Sequence, residues 1–302
     1  MNLHCFNFYE NIFRIASDAQ ENTALYNESE MIRAENHILK MDGKTMEYLL
    51  FGNGKKTMVL LPGLGDGLKT VKGMALPFAL LYGKLTKEYT VYSFSRIREL
   101  QEGYTTEMMA DDLSEAMDLL SLSNADVIGV SMGGMIAEHL AIRHPDKVRK
   151  LVLCVTAVTS GELTKKRIGL WKQFARDHDY ISLFCDTAEH TYTENYLKRM
   201  RPFFPWIAYY SKPEDPARFL IQADACMNHD ASEQIRNITC PVLMISGEND
   251  DIVGIEDARH IREILPEAQV HIYQTYGHGL YEETNDWISD SLSFFAEREN
   301  TK

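Results

Sequence analysis

The sequence predicts an α/β protein with a doubly wound, mostly parallel sheet and one helical insertion. Continuous apolar runs such as Thr57–Leu61 and Pro241–Ile245 are typical of strands buried on both faces. A helical pattern such as Tyr104–Leu122 lies between such runs, and strands that alternate with helices form parallel sheets. Residues 157–236 interrupt this alternation, because they contain helical periodicity, many aromatic residues and four prolines but no clear strand.

The predicted elements follow one another from a hairpin onwards. Ile38–Met41 and Thr45–Phe51 flank Asp42-Gly43, a dipeptide typical of type I′ turns. Further strands are predicted at Thr57–Leu61, Tyr89–Phe94, Asp126–Ile128, Lys150–Val155, Pro241–Ile245 and Gln269–Tyr273. Helices are predicted at Tyr104–Leu122, Gly134–Ala141, Ala258–Leu265 and Ser289–Arg298, from their apolar spacing.

These elements predict three parts of the chain. Residues 1–36 form a helical lead-in on the surface, and residues 37–156 and 237–302 form the α/β core. Residues 157–236 form a helical cap, since an insertion at the carboxyl edge of a parallel sheet is placed to cover a site there.

Composition argues against several classes of protein, including nucleic-acid-binding, metal-binding and membrane-spanning proteins. The net charge of −13 argues against a broad nucleic-acid-binding face. Five scattered cysteines without a C-x-x-C pair favour reduced thiols, and the ten histidines show no metal-ligand spacing. The chain has neither a signal-peptide pattern nor an apolar run of about eighteen residues. We therefore expect a cytoplasmic protein that acts on a small molecule without a metal or other cofactor.

The most informative motif is Gly129-Val130-Ser131-Met132-Gly133. It fits Gly-x-Ser-x-Gly, the nucleophile elbow, in which a serine occupies a sharp turn between a strand and a helix. A predicted strand ends at Ile128, directly before the motif, and a predicted helix begins at Gly134, directly after it. Ser131 is therefore the candidate nucleophile.

A serine hydroxyl needs an adjacent base, and the base needs an acid that orients it. In elbow-type sites the chain order is serine, acid, histidine. His278 is the candidate base, because it follows a predicted strand and has a glycine on each side. Asp250 is the candidate acid in the loop after Pro241–Ile245, with Asp251 and Glu248 as close rivals.

The predicted oxyanion hole consists of two backbone N–H groups. One belongs to Met132, directly after the nucleophile, and the other to Leu64 in the glycine-rich loop after Thr57–Leu61. This loop also invites comparison with a phosphate-binding P-loop. That template fails, because Leu68 occupies the position of its second required glycine.

Taken together, these motifs resemble the α/β-hydrolase family over residues 37–156 and 238–298. The resemblance rests on Pro62–Gly65, Gly129–Gly134, Gly247–Val253 and Gly277–Gly279. It implies serine-nucleophile, carboxylesterase-like or lipase-like members with a helical cap. Many members carry His-Gly where this chain has Pro62-Gly63. Members with an aspartate nucleophile do not match, because Ser131 holds that place.

The sequence thus predicts a serine hydrolase that cleaves a carboxylic ester or related acyl bond. Four aromatic residues of the cap are candidates for an apolar substrate pocket: Trp171, Phe174, Trp206 and Tyr209. The same triad also serves thioesterases, carbon–carbon bond hydrolases and acyltransferases, and the same fold serves catalytically weak ligand receptors. The physiological substrate and the oligomeric state stay open at this stage.

Overall fold

A computed structural model of the protein describes residues 33–213 and 215–297. Eight strands form one sheet in the order β1-β2-β4-β3-β5-β6-β7-β8. The strands are β1 (Ala34–Met41), β2 (Lys44–Phe51), β3 (Lys56–Leu61), β4 (Tyr89–Ile97), β5 (Ala125–Val130), β6 (Val148–Cys154), β7 (Val242–Gly247) and β8 (Gln269–Tyr273). β2 pairs antiparallel with β1 and β4, and the remaining pairs are parallel. The predicted fold class is confirmed.

Helices lie between and after these strands. They are α1 (Ala75–Leu81), α2 (Thr106–Leu119), α3 (Met132–Arg143), α4 (Glu162–Arg176), α5 (Tyr180–Thr191), α6 (Glu194–Met200), α7 (Phe204–Ser211), α8 (Ala217–Met227), α9 (Glu256–Ile264), α10 (Leu280–Glu283) and α11 (Asp286–Ala296). Sequence analysis did not predict α1, which is seven residues long, contains Pro77 and begins without a side-chain cap.

Both faces of the central strands are buried, which accounts for their uninterrupted apolar sequences. In β3, Val59 and Leu61 belong to the core beside α2 and α3, whereas Met58 and Leu60 belong to the core beside α1 and α11. Burial of each such side chain contributes about 1.5–3 kcal/mol to the free energy of unfolding. β3 and β5 lie side by side at the centre of this packing, and they support the loops described below.

The hairpin differs from the predicted turn type. Met41 pairs with Lys44, so the connecting loop has the two residues expected. Gly43 has a φ of +67°, but Asp42 is not among the described residues with positive φ. A type I′ turn requires positive φ at both positions, and an aspartate adopts that region less readily than glycine. The type I′ prediction is therefore wrong.

Five helices, α4 to α8, occupy the interval between β6 and β7, where the sequence predicts an insertion. The predicted lead-in falls mostly on residues 1–32, which lie outside the described residues, and residues 34–36 belong to β1. Within the described ranges, no helix has both the length and the apolar character needed to cross a membrane.

A buried polar cluster holds helix α3 against α2 and the segment that follows α8. Glu138 Oε2 lies 3.0 Å from His229 Nε2, and His229 Nδ1 lies 3.0 Å from the hydroxyl of Thr106. The ring of His139 packs edge-on against His229. Burial lowers the pKa of both histidines to about 4 and raises the pKa of Glu138 well above its usual value. His139 thus packs inside the fold against His229.

These histidines make the stability of the fold depend on pH. Their folded-state pKa values lie below the unfolded value of about 6.5. Between pH 6.5 and 4 the unfolded chain therefore binds protons that the folded chain does not, so the free energy of unfolding falls as the pH falls. Burial raises the pKa of Glu138 in the folded state, and this shift opposes part of the change. We expect urea unfolding to show lower stability at pH 5 than at pH 7.

The variant His229→Gln tests whether the buried histidine causes this dependence. Glutamine keeps a polar side chain in the cluster but does not titrate, so the loss of stability between pH 7 and pH 5 should be smaller than in the wild type. His178→Asn is the matched control, because His178 is exposed and asparagine tolerates its φ of +56°. An equal loss in the wild type and His229→Gln would contradict the assignment.

Candidate active site

Ser131 lies at the turn between β5 and α3 in a strained backbone conformation. Its φ of 53° and ψ of −124° are unusual for a residue with a side chain, and such strain costs about 1–3 kcal/mol. Two hydrogen bonds, one with the last residue of β6 and one with the segment after it, hold this turn. The Ser131 N–H donates to the carbonyl of Cys154 at 2.8 Å, and the Thr156 hydroxyl donates to the carbonyl of Ser131 at 2.8 Å.

The glycines around Ser131 are needed because the chain is crowded there. A β-carbon on Gly129 would lie 2.5 Å from the carbonyl oxygen of Gly133. A β-carbon on Gly133 would collide with the backbone of Leu61, and one on Gly134 would meet the side chain of Thr156 at 2.5 Å. The strand, turn and helix that the motif predicts are therefore found together at this position, with close contact between β3 and the start of α3.

Three side chains that are distant in sequence form one hydrogen-bonded chain. His278 Nε2 lies 2.9 Å from Ser131 Oγ, and His278 Nδ1 lies 2.8 Å from Asp250 Oδ2. The second carboxylate oxygen, Asp250 Oδ1, accepts from the backbone N–H groups of Ile252 at 2.9 Å and Val253 at 3.0 Å. The Asp250 carboxylate is completely buried. This geometry suits a histidine that takes a proton from a serine while a fixed carboxylate orients it.

The two rival acids have other partners. Asp251 accepts from Arg167 of α4, and its carboxylate lies 2.7 Å from His190 Nδ1 of α5. Glu248 pairs with Arg259 of α9. Among these three acids, the hydrogen-bond geometry therefore selects Asp250 as the partner of His278.

The two residues of the predicted oxyanion hole are close to Ser131 along the chain or through Gly63. Met132 is the first residue of α3, so its N–H has no acceptor within the helix. Leu64 begins a 3₁₀ turn, Leu64–Gly67, directly after Gly63. A β-carbon on Gly63 would lie 3.3 Å from Ser131 Cβ, so this loop passes close to the serine.

The four aromatic candidates of the helical insertion occupy different surroundings. Trp171 is 5% exposed, and its indole N–H donates to Asp186 at 2.7 Å. Phe174 is partly buried against the core. Trp206 and Tyr209 on α7 are 45% and 60% exposed. The structure therefore does not gather all four into one lining, and their role in substrate binding stays a prediction.

Sequence analysis missed a second set of residues that hold the histidine loop. The carbonyl of Thr191 accepts from the N–H of Gly279 at 2.7 Å, and Tyr192 donates to Glu282. The Thr193 N–H donates to Glu283 at 2.9 Å. Burial raises the pKa of both carboxyls. These residues connect α5 to α6, where neither a motif nor a periodic pattern marks them.

The chain is similar to known proteins in its sequence. A family model described as alpha/beta hydrolase fold matches residues 56–284. The 2-hydroxymuconate semialdehyde hydrolase of Pseudomonas sp. (strain CF600) is 28% identical over 182 residues, which are 58% of this chain and 62% of that enzyme, less than two thirds of its length. The 2-hydroxy-6-oxo-2,4-heptadienoate hydrolase of Pseudomonas putida is 27% identical over 60% of this chain and 67% of its own.

Solved structures show the same fold at lower identity. The enol-lactonase from Burkholderia xenovorans LB400 superposes with a TM-score of 0.74 at 21% identity, over 86% of this chain and all of its own. An esterase from Exiguobacterium antarcticum superposes with a TM-score of 0.71 at 20% identity, over 87% of this chain and 99% of its own.

Proposed function

The chain belongs to the alpha/beta hydrolase fold family, and from this premise we propose that it is a serine hydrolase that cleaves a carboxylic ester or a related acyl bond. The observation that carries this proposal is the continuous hydrogen-bonded chain from Ser131 through His278 to Asp250. An isolated serine is a weak nucleophile, whereas a serine bonded to an oriented imidazole is an activated one.

In the first step, Ser131 Oγ attacks the carbonyl carbon of the substrate while His278 Nε2 accepts the hydroxyl proton. Asp250 Oδ2 accepts a hydrogen bond from the Nδ1–H of His278. This bond keeps the imidazole in the required tautomer and stabilises the imidazolium that forms. The carboxylate keeps its place because the N–H groups of Ile252 and Val253 hold its other oxygen.

Attack turns the carbonyl oxygen into an oxyanion, which requires hydrogen-bond donors. The N–H groups of Leu64 and Met132 supply them in this proposal. Removal of one fixed donor at such a position typically lowers kcat by about 10²- to 10³-fold. Their backbone origin means that no side chain has to reorganise during the reaction.

The tetrahedral intermediate then collapses. The bond between the carbonyl carbon and the leaving oxygen breaks, and the imidazolium of His278 protonates the departing alcohol. Water next attacks the acyl-enzyme while His278 accepts its proton, and the carboxylic acid leaves as Ser131 regains its hydrogen.

Helices α4 to α8 act as the cap in this proposal, with the aromatic candidates Trp171, Phe174, Trp206 and Tyr209 providing apolar surface for the substrate. Contacts between the insertion and two active-site loops support this role, because Thr191 bonds to Gly279 and α8 packs on the Leu64–Gly67 turn. Thioesters, carbon–carbon bonds and acyl transfer use the same triad. A panel of substrates separates these chemistries.

One prediction of the proposed function concerns the nucleophile. We expect Ser131→Ala to reduce hydrolysis of p-nitrophenyl esters by about 10⁴-fold or more, because the variant lacks the hydroxyl that forms the acyl-enzyme. Labelling by a fluorescent fluorophosphonate should disappear in the same variant. Ser293→Ala, on the outer surface of α11, is the control and should retain both. Equal activity in the wild type and Ser131→Ala would refute the proposal, and an unlabelled, inactive but folded wild type would favour a ligand receptor.

A second prediction distinguishes the acids. Asp250→Asn should reduce kcat by about 10³- to 10⁴-fold, because the amide no longer favours the required imidazole tautomer. Asp251→Asn is the matched control and should reduce kcat by less than about tenfold, since Asp251 contacts the insertion instead. Steady-state kinetics on one ester measures both variants. The reverse order of effects would show that Asp251 is the orienting acid.

A further inference from the structure

The loop that carries Leu64 is bonded to the helical insertion by a buried ionic cluster. This Asp66 cluster consists of Asp66, Arg96, Arg218 and Gln222. We propose that the Asp66 cluster positions the Leu64 N–H, so that helix α8 of the insertion controls the geometry of the oxyanion hole. The inference rests on the proposed function for the catalytic meaning of this loop.

Asp66 is the centre of the cluster. Its Oδ2 accepts from Arg218 Nη2 at 2.5 Å, from the Arg96 N–H at 3.2 Å and from Gln222 Nε2 at 3.3 Å. Arg218 and Gln222 both belong to α8, whereas Arg96 belongs to β4. One carboxylate therefore joins the loop after β3 to the end of β4 and to the insertion.

The guanidinium groups also bind the backbone on both sides of Leu64. Arg96 Nη2 donates to the carbonyl of Pro62 at 2.7 Å, two residues before Leu64. Arg218 Nε donates to the carbonyl of Asp66 at 3.3 Å, two residues after it. Leu64 is thus held between two anchored carbonyl groups.

Close packing reinforces these bonds. A β-carbon on Gly67 would lie 2.9 Å from Phe219 Cα, so the end of the turn is in contact with the backbone of α8. The loop therefore cannot move away from β3 and β5 without breaking its contact with the insertion.

Burial makes the position of the cluster well defined. The Asp66 carboxylate is fully buried, and the Arg96 side chain is 4% exposed. Within the described part of the chain, Asp66 Oδ1, Gln222 Oε1 and two nitrogens of Arg96 have no hydrogen-bond partner. Buried charges are costly to leave without partners, so the carboxylate and the guanidinium groups strongly favour the one arrangement that pairs them.

Three variants test the proposal. Arg218→Gln removes the charged contact from α8, and Asp66→Asn keeps the shape of the carboxylate while it removes the charge. Arg201→Gln is the matched control, because Arg201 is another arginine of the insertion, pairs with Glu189 and Glu194 and is 40% exposed. Each variant is compared with the wild type by ester hydrolysis, by inhibition with a trifluoromethyl ketone and by hydrogen exchange.

The expected result separates positioning from a general loss of structure. Arg218→Gln should reduce kcat by about 10- to 100-fold with little change in KM, because a displaced donor weakens only the binding of the oxyanion. Affinity for the trifluoromethyl ketone, whose adduct with Ser131 carries an oxyanion, should fall by a similar factor. The pH profile of kcat/KM should keep its midpoint, since His278 is untouched. Asp66→Asn should act in the same direction, and Arg201→Gln should change none of these.

Opposite outcomes would overturn the inference. An unchanged kcat in folded Arg218→Gln, or a rise in KM alone, would show that Arg218 does not position the oxyanion donor. A fall in kcat with unchanged affinity for the trifluoromethyl ketone would also show that Arg218 does not position this donor.

Hydrogen exchange provides a readout that needs no activity. Faster exchange of the backbone amides of residues 63–67 in Arg218→Gln, but not in Arg201→Gln, supports positioning of the loop even if the wild type hydrolyses no ester. Unchanged exchange overturns it. A wild type without esterase activity would instead count against the proposed function.

Discussion

The conformation of Ser131 is the constraint on which the rest of the site depends. A φ of 53° at a residue with a side chain persists only where the surroundings enforce it. Here the carbonyl of Cys154 and the hydroxyl of Thr156 bind the turn from the side of β6, and glycines at positions 129, 133 and 134 allow β3 and α3 to approach it. In the proposed function, the sheet supplies the rigidity that lets Ser131 present its hydroxyl to a substrate.

The remaining groups reach Ser131 because parallel strands end at the same edge of the sheet. Leu64 follows β3, Asp250 follows β7 and His278 follows β8. The helical insertion leaves the sheet at the same edge, after β6, and bonds to two of these loops. Thr191 and its neighbours hold the histidine loop, and Arg218 holds the loop of Leu64. In this account the insertion both covers the site and holds the two loops that carry His278 and Leu64.

Sequence alone predicts the parts of this arrangement that have local signals. Gly-x-Ser-x-Gly, the glycines beside His278 and the apolar strands are visible in short windows of sequence. Bonds between distant segments are not: Asp66 and Arg218 are 152 residues apart, and Thr193 and Glu283 are 90 apart. The turn type at Asp42-Gly43 was predicted wrongly and helix α1 was not predicted for another reason, since short elements have few residues to carry a preference. The sequence already favours Asp250 as the acid, and the hydrogen bonds of both carboxylates distinguish it from its neighbour Asp251.

Direct observation of an acyl-enzyme is the sharpest test of the central claim, that Ser131 is activated by His278 and Asp250. The protein would be mixed with p-nitrophenyl butyrate, quenched in acid within milliseconds to seconds and measured by intact mass spectrometry, followed by peptide mapping. The account predicts a transient mass increase of one butyryl group, located on the peptide that contains Ser131 and absent from Ser131→Ala. Turnover of the ester with the butyryl group on another residue, or an equal adduct in Ser131→Ala, would contradict it.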